Sequence, residues 1–239
     1  MNFGKISEIS VNDRSSWENT YLTFDVDWAS DDVINYTIDI LEKYNAKATF
    51  FITHDTKILD RLRKNPNFEL GIHPNFNFLL NGSTEKGLNY NQVIENILKI
   101  VPEAVSVRSH SMTQNSNILD AFKKFGLTHD CNHFISNSSG IKLKPWVLWN
   151  GLIRCPYFWE DDIYVMEKNK RDINYTCSQE GLKIFDFHPI HIFLNMSKIS
   201  QYESTRKYHN DYGILKKYRN QEYGTENILK FILEKTTKN

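Results

Sequence analysis

The sequence predicts an α/β protein built on parallel strands, and three observations carry that prediction. Short apolar runs alternate with longer segments of helical periodicity, the pattern of strands joined by right-handed helical crossovers. Several of those runs are apolar along their length and then end in a polar residue, as strands buried on both faces do when they reach a rim. At 239 residues the chain can bury a core as one domain, a length that α/β barrels commonly reach.

Residues 1 to about 19 are polar and weakly patterned, a lead-in that folds over one end of the domain. Residues 21–28 (YLTFDVDW) form the first buried strand and deliver Asp25 and Asp27, two apart and therefore on one face. Ser30 caps a helix whose first turn carries Asp31 and Asp32, favourable at the positive end of its dipole. Val33, Ile34, Thr37, Ile38, Leu41 and Tyr44 continue that helix. Residues 47–53 are a second strand, and 57–65 a second helix stopped by Pro66. Residues 68–73 make a third strand, followed by a long loop from 74 to about 89 and a helix through Val93, Ile94, Ile97 and Leu98. Residues 104–109 form a strand with Arg108 and His110 at its end. Ile118, Leu119, Phe122 and Phe125 mark the next helix, with Gly126 placed to end it. Residues 127–131 are short and extended, 133–149 irregular, and 152–156 and 183–188 further strands. Closing helices are expected over 210–217 and 225–235.

Basic and acidic residues balance at 29 each, so neither a nucleic acid nor an anionic membrane surface is favoured as partner. No run of eighteen apolar residues occurs and the N-terminus lacks an apolar export core, which predicts a soluble, cytoplasmic protein. Cys131, Cys155 and Cys177 form no CxxC pair and are odd in number, so buried thiols are expected rather than a disulfide framework. With no linker or repeat, one domain over 1–239 is the economical division: a motif-bearing core at about 20–194 and a helical extension at about 195–239.

The polar residues at strand ends are Asp25, Asp27, His73, Arg108, His110 and His188. Each alone has a structural explanation, as a cap, a turn former or a hydrogen-bonded histidine. Together on one rim they are the set a metal-assisted hydrolase needs, with ligands for the ion, a base and an acid. His54 and Asp55 read better as the cap of the helix after them. His129, Cys131 and His133 lack a second ligand pair at finger spacing and are not read as a zinc site.

Five short motifs over residues 21 to 194 resemble the polysaccharide deacetylase family, carbohydrate esterase family 4 or the NodB homology domain. They are 23–27 (TFDVD), 69–77 (ELGIHPNFN), 107–111 (VRSHS), 156–162 (PYFWEDD) and 187–189 (FHP). The resemblance implies a distorted (β/α)7 barrel and a divalent ion, zinc first among the candidates. It makes Asp25 the general base, Asp27 and His73 metal ligands, Arg108 the residue that orients Asp25, and His188 the general acid. Asn77 stands where a second metal-binding histidine belongs, so His110 is the candidate third ligand and Asn77 the alternative. An acid must support His188: Asp161 or its neighbour Asp162, with Asp130 as another possibility. His191 reads as a packing residue. Trp28, Asn75 and Trp159 are candidate substrate contacts. The implied activity is removal of an N-acetyl or related acyl group from a carbohydrate: a sugar nucleotide, lipid-linked glycan or polysaccharide. A non-sugar amide substrate, or a metal-free carbohydrate-binding or assembly module, are the alternatives.

Overall fold

The structure, a computed structural model, describes residues 2–167 and 171–237. Among these the sheet has ten strands: β1 (Phe3–Gly4), β2 (Thr20–Asp25), β3 (Ala48–Ile52), β4 (Phe68–Ile72), β5 (Ser106–Val107), β6 (His129–Asp130), β7 (Trp146–Val147), β8 (Ile153–Arg154), β9 (Trp159–Glu160) and β10 (Lys183–Phe187). Their order is β7-β8-β6-β5-β4-β3-β2-β10-β9, with β1 also on β2. Only β7 with β8 is antiparallel.

The curled sheet contains a run of eight parallel strands, β8-β6-β5-β4-β3-β2-β10-β9, of which the first seven make the predicted barrel and β9 adds a two-residue edge. The barrel is distorted because β5, β6 and β8 are only two residues long, whereas β10 pairs with β2 over five residues. The chain after β8 crosses the gap this leaves. Cys155 N–H donates to Asp130 O at 2.8 Å and Tyr157 N–H to His133 O at 3.0 Å, and β9 then joins β10.

Helices α1 (Asp31–Lys43), α2 (Ile58–Lys64), α3 (Asn77–Leu80), α4 (Tyr90–Ile100) and α5 (Ser116–Lys124) occupy the crossovers of the first half. Each longer helix buries a stripe of the residues that predicted it, such as Val93, Ile94 and Ile97 of α4 and Ile118, Leu119 and Phe122 of α5. Asn89 and Asn115 cap α4 and α5 by accepting backbone N–H bonds. Ser30 occupies the N-cap of α1, but its hydroxyl is buried without a partner and does not cap. The expected loop over 74–89 contains α3.

The second half holds α6 (Asp161–Met166), α7 (Ile173–Ser178), α8 (Pro189–Leu194), α9 (Ile199–Thr205), α10 (Tyr212–Leu215) and α11 (Thr225–Thr237). The single helix expected over 210–217 is α10 followed by a 3-10 turn. α8, absent from the sequence reading, is buried at every position, so no polar face gives it a helical period. All three cysteines are buried free thiols.

The lead-in closes the end of the barrel where the strands begin. β1 pairs with the start of β2, Ile6 N–H donates to Thr49 Oγ1 at 3.0 Å, and Ser7 N–H donates to Glu69 Oε2 at 3.0 Å. The opposite end, where the parallel strands finish, is where barrel folds place their chemistry.

Candidate active site and metal centre

β2 finishes at Asp25, and the next residues leave the strand in a strained turn. Asp27 and Trp28 have φ of 44° and 57°, a left-handed conformation costly for residues with a Cβ. Trp28 N–H donates to Thr53 Oγ1 at 3.1 Å and pins the turn to the end of β3. The two acids therefore do not sit on one strand face as predicted. Asp25 stays against the barrel interior, while the turn carries Asp27 across to the ends of β4 and β5.

There Asp27 meets two histidines. Its Oδ1 lies 3.2 Å from His73 Nε2 and 3.1 Å from His110 Nδ1, and the two nitrogens stand 3.3 Å apart. Donors about 2.0 to 2.2 Å from one ion, tetrahedral or octahedral, lie roughly 2.9 to 3.5 Å from one another. The triangle has that size, and its two imidazole nitrogens and carboxylate oxygen are the donor types a divalent ion takes. The group fits a divalent ion with N/O preference. His73 keeps 2% of its side-chain surface, whereas Asp27 and His110 keep 19% and 24%, so one side of the triangle opens to solvent. Burial would raise the Asp27 pKa; hydrogen bonds from His110 and His73 and the His73 and His188 charges hold it well below the usual carboxylate range.

Below this triangle lies the buried Arg108. Its Nη1 donates to Asp25 Oδ1 at 3.0 Å, to Thr23 Oγ1 at 3.0 Å and to Asp186 Oδ1. The guanidinium is sandwiched by the rings of Phe51 and Tyr157, 4.7 and 4.4 Å from their centroids. Asp25 Oδ2 stands 3.6 Å from His73 Nδ1. Asp186, two residues before His188 on β10, escaped the sequence reading; the available signal was a carboxylate inside an apolar strand at period two from a histidine. Glu160 lies in register beside Asp186 on β9. Burial first, and then the Asp162 charge, push its pKa up to about 8.

His188 begins on the other flank of β2, at the end of β10. Its backbone N–H donates to Asp161 Oδ2 and its Nδ1–H to Asp161 Oδ1, both at 2.8 Å. This directs Nε2 toward the triangle, 3.7 Å from Asp27 Oδ2. Burial would lower the His188 pKa, but the Asp161 carboxylate outweighs it and holds the imidazole well above its ordinary value. His191 Nδ1–H donates to the same Asp161 oxygen at 3.0 Å, a polar role the sequence reading gave to packing. Asp161, His188 and His191 are also close enough to ligate an ion, but all three are buried, so this group has no side open to a substrate as the triangle has.

Other candidates are elsewhere. Asn77 Nδ2 donates to Ser111 Oγ at 3.1 Å, and its Oδ1 accepts from Thr113 Oγ1 at 3.4 Å. Asp130 pairs with Arg154 at 2.5 Å rather than with His188. Trp159 is 3% exposed and packs on Phe187, so it offers no free face to a sugar. Trp28, 39% exposed, stands edge-on to His110, and Asn75 lines a cleft beside His73. His129 donates to Ile9 O at 3.0 Å and forms no metal group with Cys131 and His133.

The chain is similar to solved structures. A Bordetella bronchiseptica structure, assigned as a polysaccharide deacetylase involved in O-antigen biosynthesis, is 39% identical, with a TM-score of 0.90 and 98% of each chain covered. A Mycobacterium smegmatis structure assigned to the same activity is 17% identical over 71% of this chain and 77% of that one, with a TM-score of 0.49. A search of curated proteins finds no match. The family described as WbmS-like polysaccharide deacetylase matches residues 22–206, and with the Bordetella likeness this shows that the chain belongs to the polysaccharide deacetylase family.

Proposed function

We propose that the chain removes an N-acetyl or related acyl group from a carbohydrate, using a divalent ion held by Asp27, His73 and His110. The supporting observation is the donor triangle at the junction of Asp25 and His188, whose two carboxylate-linked networks approach it from different strands. A bound ion would polarise the acyl carbonyl and lower the pKa of a bound water, and zinc suits a donor set of two imidazoles and a carboxylate.

Asp25 is the base. Arg108 fixes its Oδ1, leaving Oδ2 on the side of His73 to accept the proton of the attacking water. His188 is the acid: Asp161 takes its Nδ1–H and stabilises the imidazolium, so Nε2–H is the proton available to the departing nitrogen. Asp161 also accepts from His191 and the His188 backbone, which restrains the imidazole from turning away.

The Bordetella relative's assignment to O-antigen biosynthesis favours a cell-surface glycan or its precursor as substrate. Metal analysis of the purified protein, paired with acetate release from N-acetylated sugars, tests the reading. About one divalent ion per chain is expected, with weaker binding and lost turnover in His110→Ala. A chain with neither ion nor acetate release after metal supplementation overturns it.

A further inference from the structure

His110 reaches the triangle from a stretch of chain with little regular structure to hold it. β5 ends at Val107, and the residues that follow turn through two consecutive left-handed positions, Ser111 and Met112, at φ 54° and 52°. Both carry a Cβ, so the turn is costly and persists only where its surroundings over-determine it. The residue that grips it is Asn132, two positions beyond β6.

On one side the extension of β4 holds the segment through backbone groups. Arg108 N–H donates to Ile72 O at 3.1 Å and His110 N–H to Pro74 O at 3.0 Å. On the other side the ladder runs as far as Cys131 N–H on Val107 O, at 2.8 Å, and then a side chain takes over. Asn132 Oδ1 accepts from Ser109 N–H at 2.7 Å, and Asn132 O accepts from Gln114 Nε2–H at 2.5 Å. One residue thus staples both ends of the loop 109–114 that carries His110.

The staple is itself aimed. Asn132 Nδ2–H donates to Asp130 Oδ1 at 2.7 Å, which turns the carboxamide oxygen to Ser109. Asp130 Oδ2 accepts from Arg154 Nε–H at 2.5 Å, and Arg154 Nη2–H donates to Gln114 Oε1 at 2.7 Å, closing a ring through four residues. Asp130, Asn132, Ser109 and Arg154 are all buried. A buried ion pair is weak evidence of added stability, and fixing one conformation is its better-attested use. Asn77 adds a second grip on the middle of the loop, through Ser111 Oγ and Thr113 Oγ1.

We propose that Asn132, aimed by Asp130 and Arg154, is a positioning residue of the metal centre: it holds loop 109–114 in the conformation in which His110 completes the triangle. The inference rests on the reading of His110 as a ligand.

Two measurements separate positioning from bulk stability: zinc affinity, by competition with a chromophoric chelator, and the visible absorption of bound cobalt(II), which reports the ligand set. Asn132→Ala is expected to weaken zinc binding about ten- to a hundredfold and to move the cobalt spectrum toward that of His110→Ala. In a His110→Ala background the same substitution should add nothing, because its effect runs through that one ligand. Gln114→Leu keeps Asn132 and cuts one staple; it should show a smaller change of the same kind, and it carries the test if Asn132→Ala does not fold. Wild-type zinc affinity and cobalt spectrum in the folded variant, or a loss that adds in full to that of His110→Ala, overturns the positioning role. The ligand assignment then stands, provided that His110→Ala alone weakens zinc binding. If His110→Ala leaves zinc affinity unchanged, the ligand assignment fails and takes the inference with it.

Discussion

At the residue scale the site is a problem of charge. Asp25, Asp186 and Glu160 gather around one guanidinium, which contacts only the first two. Glu160 is partly buried and accepts from Tyr157 Oη at 3.1 Å, with a pKa raised to about 8 from an ordinary 4.5. An acid whose folded pKa exceeds its unfolded value holds its proton more tightly when native, so native stability falls as pH rises between those values. Glu160→Gln removes that loss. The variant should equal or trail the wild type near pH 5 and exceed it by about one to a few kcal/mol near pH 8.5, read by urea unfolding. A wild-type advantage that grows with pH would contradict this. Asp25→Asn keeps the size of the side chain and its contact to Arg108 but loses the proposed base. Turnover should drop by about two to four orders of magnitude with metal content retained; near-normal turnover would move the base elsewhere. Asp25, Asp27, His73, Arg108 and His188 were legible because each ends an apolar run. Asp186 was not, since its partner Arg108 lies 78 residues away and the strand around it reads as continuous core. The spacing of Asn77 from His73 made it the alternative to His110. α3 begins at Asn77 and turns its amide to Ser111, while the β4–β5 register of Ile72 with Val107 brings His110 to the triangle from the neighbouring strand.

At the element scale, the long amphipathic helices α1, α4 and α5 declared themselves, whereas α8 did not. Its start carries the one available signal, Pro189 at the first helical position. α8 sets the direction of the proposed acid, because His188 is its N-cap and His191 its third residue. Its far end is held by Asn195, left-handed at φ 48°. Asn195 Nδ2 donates to Glu222 O at 2.7 Å and Asn220 O at 3.2 Å, and its Oδ1 accepts from Glu226 N–H at 3.0 Å. This one side chain thus ties α8 to the start of α11. Gly224 packs so closely that a Cβ there would fall 2.1 Å from Asn195 O. Asn195→Ala removes three hydrogen bonds and keeps the left-handed strain. A loss of about 2 to 4 kcal/mol in chemical denaturation is expected. A change under about 0.5 kcal/mol would mean that packing alone seats the helix.

At the scale of the whole molecule, the two ends of the barrel have different tasks, and the sequence marks only one of them. The catalytic end announces itself through polar residues that interrupt apolar strands. The closed end is built by the lead-in, whose polar composition conceals its two buried anchors, Ile6 and Ile9, at 0% and 2% exposure. Around them His129 donates to Ile9 O and Tyr21 Oη to Ser16 O at 2.5 Å, so side chains from β6 and β2 hold a segment with little regular structure of its own. In barrel folds this end contributes stability and the opposite end function. Ile6→Ala and Ile9→Ala should each cost about 2 to 4 kcal/mol through the cavity left behind. Metal content and kcat/KM of the folded protein should stay at wild-type values, since neither residue belongs to the site. Unfolding curves and metal analysis on the same preparations decide the matter. If either variant keeps its stability but loses metal, the lead-in supports the catalytic end and the division of labour fails.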